Sequence, residues 1–317
     1  MSLGRFLLGR LIALVVTLLL ASLAVYGALY LAPGTPISFL TRGRTVTPEE
    51  LAAIKAQYHL DEGFLSQYGH WVAGVLHGDF GTSILGKAPV LSLLGGRAYN
   101  TFMLVAFASI IILIIGLSVG ITAGLKRGWV DRTLMVGATG AMAVPAFVAA
   151  IVLVLIFAVN LHWFPVFGAG DSLGDRLYHL VLPGIALALA SVAYVARLTR
   201  AAVRTEADSD HVQTAVSRGL PRGAVISRHV LRNAMIPIVT VAGLTIGSLI
   251  AGAVVIEQVF QLNGLGSYLV QAVGQKDFPV VQAIVLILVA VFIVLNTVVD
   301  VLYAVLDPRI SAGRQSA

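Results

Sequence analysis

Residues 210–221 read Asp-His-Val-Gln-Thr-Ala-Val-Ser-Arg-Gly-Leu-Pro. The stretch carries the marks of one short helix with a hard stop. Val212, Ala215 and Val216 recur at helical spacing and give one apolar face. Gly219 suits the left-handed position beyond a helix C-terminus, and Pro221 blocks continuation. Thr205-x-x-Asp208 offers a capping arrangement, and Ser209 or Asp210 offers an alternative start. A second helix is expected from Pro221 to Arg232. Around this core, Arg197–Arg232 forms a polar island with seven arginines against Glu206, Asp208 and Asp210. The chain on either side is almost uncharged, and that contrast decides the fold class.

Hydrophobic residues make up 58% of the 317 residues and charged residues 11%. A soluble domain carries about 25% charged residues, so a soluble fold is excluded. Six uncharged runs stand out: Leu11–Ala32, Tyr99–Leu125, Leu134–Val159, Leu180–Ala196, Ala234–Ile256 and Phe278–Val299. Each reaches the roughly 17–25 residues that a spanning helix needs, the fourth only at the lower limit. Inside lipid the backbone must satisfy its own hydrogen bonds, so these runs predict an all-α membrane protein of six transmembrane helices. With the N-terminus inside, 14 Lys and Arg fall on the cytoplasmic side and 7 on the other. Both termini are therefore expected in the cytoplasm. The positive charge follows from topology, which argues against a nucleic-acid partner. The first run follows Arg5 and Arg10 as a signal peptide would, but it is too long and lacks a small-x-small site, so it reads as an uncleaved helix.

Residues 33–98 form a large first external loop. Thr47-Pro48-Glu49-Glu50 combines an N-cap, a proline at the first helical position and a glutamate at the third, and predicts a helix through about Gln57. Phe64, Tyr68, Trp71, Val72 and Val75 then recur at helical spacing, as in an interfacial helix. Gly116-x-x-x-Gly120-x-x-x-Gly124 and Gly243-x-x-x-Gly247 let helices approach closely, within this chain or against a second membrane subunit. Pro145 should kink the third run. Glu257 reads as lying just past the external end of the fifth run.

The sequence lacks a P-loop motif and the His-Glu-x-x-His and Gly-x-Ser-x-Gly patterns. It has no cysteine, so it offers no thiolate metal ligand or thiol nucleophile. Histidines 59, 70, 77, 162, 179, 211 and 229 are scattered, and a metal site is not expected. Midplane charge is nearly absent, with Asp300 near one end of the sixth run. Ion-coupled carriers tend to hold several such groups. The chain reads as a pathway without its own energy source.

At this point a resemblance becomes specific. Inner-membrane permeases of ABC importers carry a loop of the pattern Glu-Ala-Ala-x-x-x-Gly-x9-Ile-x-Leu-Pro. Here Gln213-Thr214-Ala215, Gly219 and His229-Val230-Leu231-Arg232 stand in those places. The chain resembles the oligopeptide/dipeptide (peptide/nickel) branch, through His211-Val212-Gln213-Thr214-Ala215, Gly219-Leu220 and Arg228-His229-Val230-Leu231-Arg232-Asn233-Ala234-Met235-Ile236-Pro237. Ala32-Pro33-Gly34-Thr35-Pro36, Leu60-Asp61, Gly78-Asp79-Phe80-Gly81-Thr82-Ser83, Glu257-Gln258-Val259-Phe260, Gly264-Leu265-Gly266 and Asp307-Pro308-Arg309 extend the likeness. Asn263 departs from it, standing where the branch has proline, and puts that local turn in question. The large first external loop is similar to that of the first (B-type) permease of such systems.

The resemblance implies a type I ABC-importer permease fold. Residues 1–32 are the tail and first helix, 33–98 the external loop, 99–310 the permease core and 311–317 a cytoplasmic tail. It implies a coupling loop at 197–234 in which Asp210, Val212, Thr214, Ala215, Arg218, Gly219 and Leu220 meet the ATPase. Ala215 keeps the contact face small for close approach. Arg228, His229, Arg232 and Asn233 support the loop. The implied partners are a second homologous permease, two cytoplasmic ATPases that hold ATP and Mg, an extracytoplasmic peptide-binding protein and the lipid bilayer. No cofactor is implied on this chain. The implied location is the bacterial inner membrane. The implied cargo is a di- or oligopeptide, with glutathione, a nickel chelate or another small solute as the alternative. A secondary transporter, a channel and a membrane enzyme are further readings of a six-helix chain that its residues favour less.

Overall fold

The computed structural model describes residues 3–30, 47–57 and 61–306. The motif positions at 32–36, 60 and 307–309, His59, the tail 311–317 and the side chain of Asp300 lie outside the described residues. The helices, in chain order, are α1 Leu3–Tyr30, α2 Pro48–Gln57, α3 Phe64–Leu76, α4 Val90–Leu125, α5 Trp129–Ala143, α6 Ala146–Asn160 and α7 Leu173–His179. They continue with α8 Val181–Ala207, α9 Asp210–Ser217, α10 Arg222–Phe260, α11 Leu265–Gln275 and α12 Phe278–Leu306. Five of them (α1, α4, α8, α10 and α12) are each long and apolar enough to cross a membrane. The remaining apolar run is the pair α5 and α6.

That pair corrects the expectation of a kink. The helix does not bend through Pro145; it stops, and α6 leaves at 99° to α5. Val144 is extended (φ −87°, ψ 118°), the conformation that a following proline ring imposes, and Pro145 becomes the N-cap of α6. The fourth run also differs from expectation. It predicts 17 residues of span, whereas α8 has 27. At 1.5 Å per residue α8 measures about 40 Å, beyond the roughly 30 Å hydrocarbon layer. Its last two turns, residues 201–207 with Arg204, therefore exceed the length that layer needs. At the other flank, α10 already begins at Arg222. The island is thus two helix ends joined by the short segment 208–221.

Helices in lipid gain little from hydrophobic contrast, so their association rests on close packing. The glycine stripe of α4 lies on α8. At Gly120 a Cβ would stand 2.5 Å from the Thr199 side chain and 2.6 Å from the Ala196 carbonyl oxygen. Gly116 and Gly124 face Val195 and Val203 in the same register. Gly243 of α10 meets Val299 of α12, and Gly247 meets Phe292. Both stripes therefore pack within this chain. The main core lies where α4, α8 and α10 meet and contains Leu104, Ile112, Val195, Leu249, Ile256 and Phe260.

α1 leans on α12 and on α3. Tyr26 stacks obliquely on Phe64, Tyr68 and Trp71 at 5.6–5.7 Å, and the Ser22 and Tyr68 hydroxyls are 2.7 Å apart. The expected capping box is present in α2: Thr47 Oγ1 accepts from Glu50 N and Glu50 Oε2 from Thr47 N, both at 3.2 Å.

At the end of the bundle away from the island, two carboxylates hold loops in place. Asp277 accepts from Ser83 Oγ (2.5 Å), Ile84 N (3.1 Å) and Leu85 N (3.3 Å). Glu257, which the sequence places just past the fifth run, is part of the helix that continues from it. It lies in the last turn of α10, fully buried, because the helix continues to Phe260. Its Oε1 accepts from Thr101 Oγ1 (2.5 Å) and its Oε2 from Ser267 N (2.9 Å). The turn that follows explains the departure at Asn263. Asn263 sits at φ +49°, which asparagine tolerates and which a proline ring, fixed near −65°, cannot adopt. Nearby, burial pushes the Tyr268 phenol above its ordinary pKa, and the Arg97 guanidinium 3.9 Å over the ring opposes the shift.

Candidate functional site

The short helix is where its residues predict, with Ser209 as the N-cap in extended geometry. Thr205 lies within α8, so the Thr205-x-x-Asp208 arrangement does not form a cap. The C-terminus closes as a double hydrogen-bonded stop: Leu220 N donates to Ala215 O (3.3 Å) and Gly219 N to Val216 O (2.9 Å). Gly219 has φ +76° and nothing within 4 Å of where a Cβ would stand. Its requirement is therefore backbone freedom rather than space.

The helix has two distinct faces. Val212 and Ala215 are both 5% exposed and pack with Val203, Val225, Val230, Ala234 and Ile238. This revises the reading of Ala215 as the surface offered to a partner. Its small side chain lets α9 sit close on the ends of its own α8 and α10. The outward face carries Asp210, Gln213, Thr214, Ser217, Arg218 and Val216, with Val216 60% exposed. Leu220 follows at 42%. Thr214 Oγ1 donates back to Asp210 O at 2.9 Å, so its hydroxyl is used within the helix.

Polar contacts pin the start of α9. Asn233 Nδ2 donates to Glu206 Oε1 (2.9 Å) and lies 3.2 Å from His211 Nε2. His211 Nε2 is 2.9 Å from Glu206 Oε1, and its Nδ1 is 3.1 Å from Ser209 Oγ. The His229 ring centre is 6.4 Å from that of His211. Of the four expected supporting residues, His229 and Asn233 thus reach the start of the helix. Arg228 and Arg232 are exposed, and their side chains make no hydrogen bond or ion pair among the described residues. Immediately beyond, Val225–Leu231 winds as a wide π-type turn before α10 continues. Ile112–Gly116 in α4 and Val154–Asn160 in α6 wind the same way.

Sequence reasoning missed Asp131. This residue, 9% exposed, is gripped by Arg200 through Nε and Nη2, the latter at 2.7 Å, and by Arg204 Nη1 at 3.1 Å. Arg127 Nη2 donates to Asp208 Oδ1 at 2.5 Å. Two island arginines that read as topology, and Asp208, which read as a cap, are therefore engaged with the turn and helix start at 127–131. The available signal was one carboxylate in the otherwise basic run Lys126-Arg127-Gly128-Trp129-Val130-Asp131-Arg132.

The chain is similar to known transport proteins over nearly its whole length. The family described as "Binding-protein-dependent transport system inner membrane component" matches residues 116–312. Its N-terminal membrane-component module matches residues 3–115. The glutathione transport system permease protein GsiC of Salmonella choleraesuis (strain SC-B67) is 37% identical over 307 residues, covering 96% of this chain and 98% of that one. GsiC of Escherichia coli (strain K12) is 35% identical with the same coverage. Among solved structures, the inward-facing MetNI methionine ABC transporter aligns with a TM-score of 0.58 at 16% identity, covering 68% of this chain and 97% of that one. An amino acid ABC transporter with histidines aligns with a TM-score of 0.52 at 17% identity, over 69% and 94%. At these identities the solved structures speak for the fold.

Proposed function

The chain belongs to the family of binding-protein-dependent transport system inner membrane components, a multi-pass inner-membrane permease subunit of an ABC importer, and from that premise we propose that it passes short peptides inward when a cytoplasmic ATPase acts on α9. The observation that carries the coupling role is the split character of α9. Its inner face is seated in this chain's core, while Val216 on its outer face and Leu220 just after it are exposed. An exposed apolar patch on a short, firmly seated helix suits docking in a groove. Because α9 rests on the ends of α8 and α10, a push on it is delivered to both spans as rigid-body motion. Each ATPase of the pair would serve one permease, this chain or its homologous partner. An extracytoplasmic binding protein would deliver cargo at the opposite end.

Glutathione is the second reading of the cargo, favoured by the glutathione transport for which the relatives at 35–37% identity are named. It is itself a tripeptide, so both readings ask for a path that takes a small, flexible, amide-rich solute. The test is uptake into vesicles that hold the full transporter, with a labelled dipeptide, a labelled tetrapeptide, glutathione and a nickel chelate compared. ATP-dependent uptake of peptides over the chelate supports the leading reading. Uptake of glutathione alone replaces it with the second. Transport by this chain without an ATPase would overturn the importer reading itself.

A further inference from the structure

We infer that Asp131 is a positioning residue for transport, which ties the half-helix α5 to α8 so that movement of α9 reaches the break at Pro145. The inference rests on the reading of α9 as the coupling helix. α8 runs without interruption to Ala207, and α9 starts at Asp210. Arg200 and Arg204 lie four residues apart, on one face of the last turns of α8. From there they grip Asp131, the third residue of α5. Arg200 approaches with two nitrogens, a fork that fixes direction as well as distance. The Arg127–Asp208 pair adds a second tie between the turn before α5 and the residue where α8 ends.

The ionic hold matters because α5 buries little else. Its buried residues are Asp131 and Ala138. α5 also packs along α8, with Arg197 reaching Met142 Sδ at 3.7 Å, and the forked ion pair adds the charged, directional hold. At its far end α5 stops at Ala143 and the chain turns through 99°. A helix of 15 residues, about 22 Å long, is thus held ionically at one end and jointed at the other. That arrangement makes a lever, and its input is the end of α8 on which α9 sits.

The test uses the complete transporter in vesicles, with ATP hydrolysis and uptake of labelled glutathione and a labelled dipeptide measured together. In Asp131→Asn the expected result is continued hydrolysis on the partner subunits, with uptake per ATP reduced roughly 5- to 150-fold, the usual span of a coupling energy. Asp131→Glu, which keeps the charge, should recover much of the ratio. Wild-type uptake per ATP in D131N overturns the inference. So does a parallel fall of hydrolysis and uptake that leaves the ratio unchanged. If D131N does not assemble, Arg204→Gln keeps the Arg200 fork and should show a smaller loss of the ratio; an unchanged ratio there overturns the inference equally. Gly219→Val separates the two ideas. If it leaves the ratio unchanged, the reading of α9 fails. If it lowers the ratio while D131N does not, only the role of Asp131 fails.

Discussion

At the island end of the bundle, Asp131 meets two guanidinium groups that are themselves more than a quarter exposed. At the opposite end, Glu257 and Asp277 are sealed at 0% and 2% exposure and are met by hydroxyls and backbone N–H groups. The difference is one of what survives movement. A partly exposed guanidinium fork turns with its carboxylate when α5 and α8 move together, and it keeps its grip. A backbone N–H cannot follow, and a buried carboxylate that loses it pays the full desolvation penalty. The opposite end is therefore built as a seam that joins α4, α10, α11 and the loop at 83–85. The island end is built as a joint.

Substitutions ordered by expected cost can break this comparison. Glu257→Ala leaves the Ser267 N–H without its acceptor, worth about 1–3 kcal/mol, and leaves the Thr101 hydroxyl only the longer bond to Arg97 O at 3.3 Å. It should give the largest fall in melting temperature of the detergent-purified protein. Asp277→Asn keeps one carbonyl oxygen but weakens bonds to a charged acceptor, and should cost about 1.5–3 kcal/mol in the same measurement. Gly219→Val forces a β-branched residue into left-handed backbone at about 1–2 kcal/mol. Its signature is local: faster amide exchange at 215–220 with the melting temperature little changed. Arg127→Ala removes an ion pair whose partners are 73% and 54% exposed, and should cost no more than about 1 kcal/mol. Should R127A destabilise as much as E257A, the distinction between seam and joint is lost.

Much of this was legible in the residues. Gly219 and Pro221 predicted the stop of α9, Thr47 and Glu50 the capping box of α2, and uncharged runs the spans. Each of those features is local, fixed by residues within one or two turns. What escaped the sequence was distant. Asp131 is 69 residues from Arg200, and Glu257 is 156 from Thr101. A lone carboxylate carries no mark of the partner that folding will bring to it. Ala215 failed for a related reason. Periodicity identifies an apolar face but not whether that face turns inward or outward, and here α8 and α10 had already claimed it. Pro145 was read as a bend because proline alone does not say whether a helix resumes in line.

The account turns on α9 meeting an ATPase with one face while the other stays buried. A photo-reactive side chain placed at Val216, and separately at Val212, in the assembled transporter tests this most directly. The expected result is a cross-link from position 216 to the ATPase subunit and none from position 212. A transporter that takes up cargo normally while position 216 yields no such cross-link would contradict it.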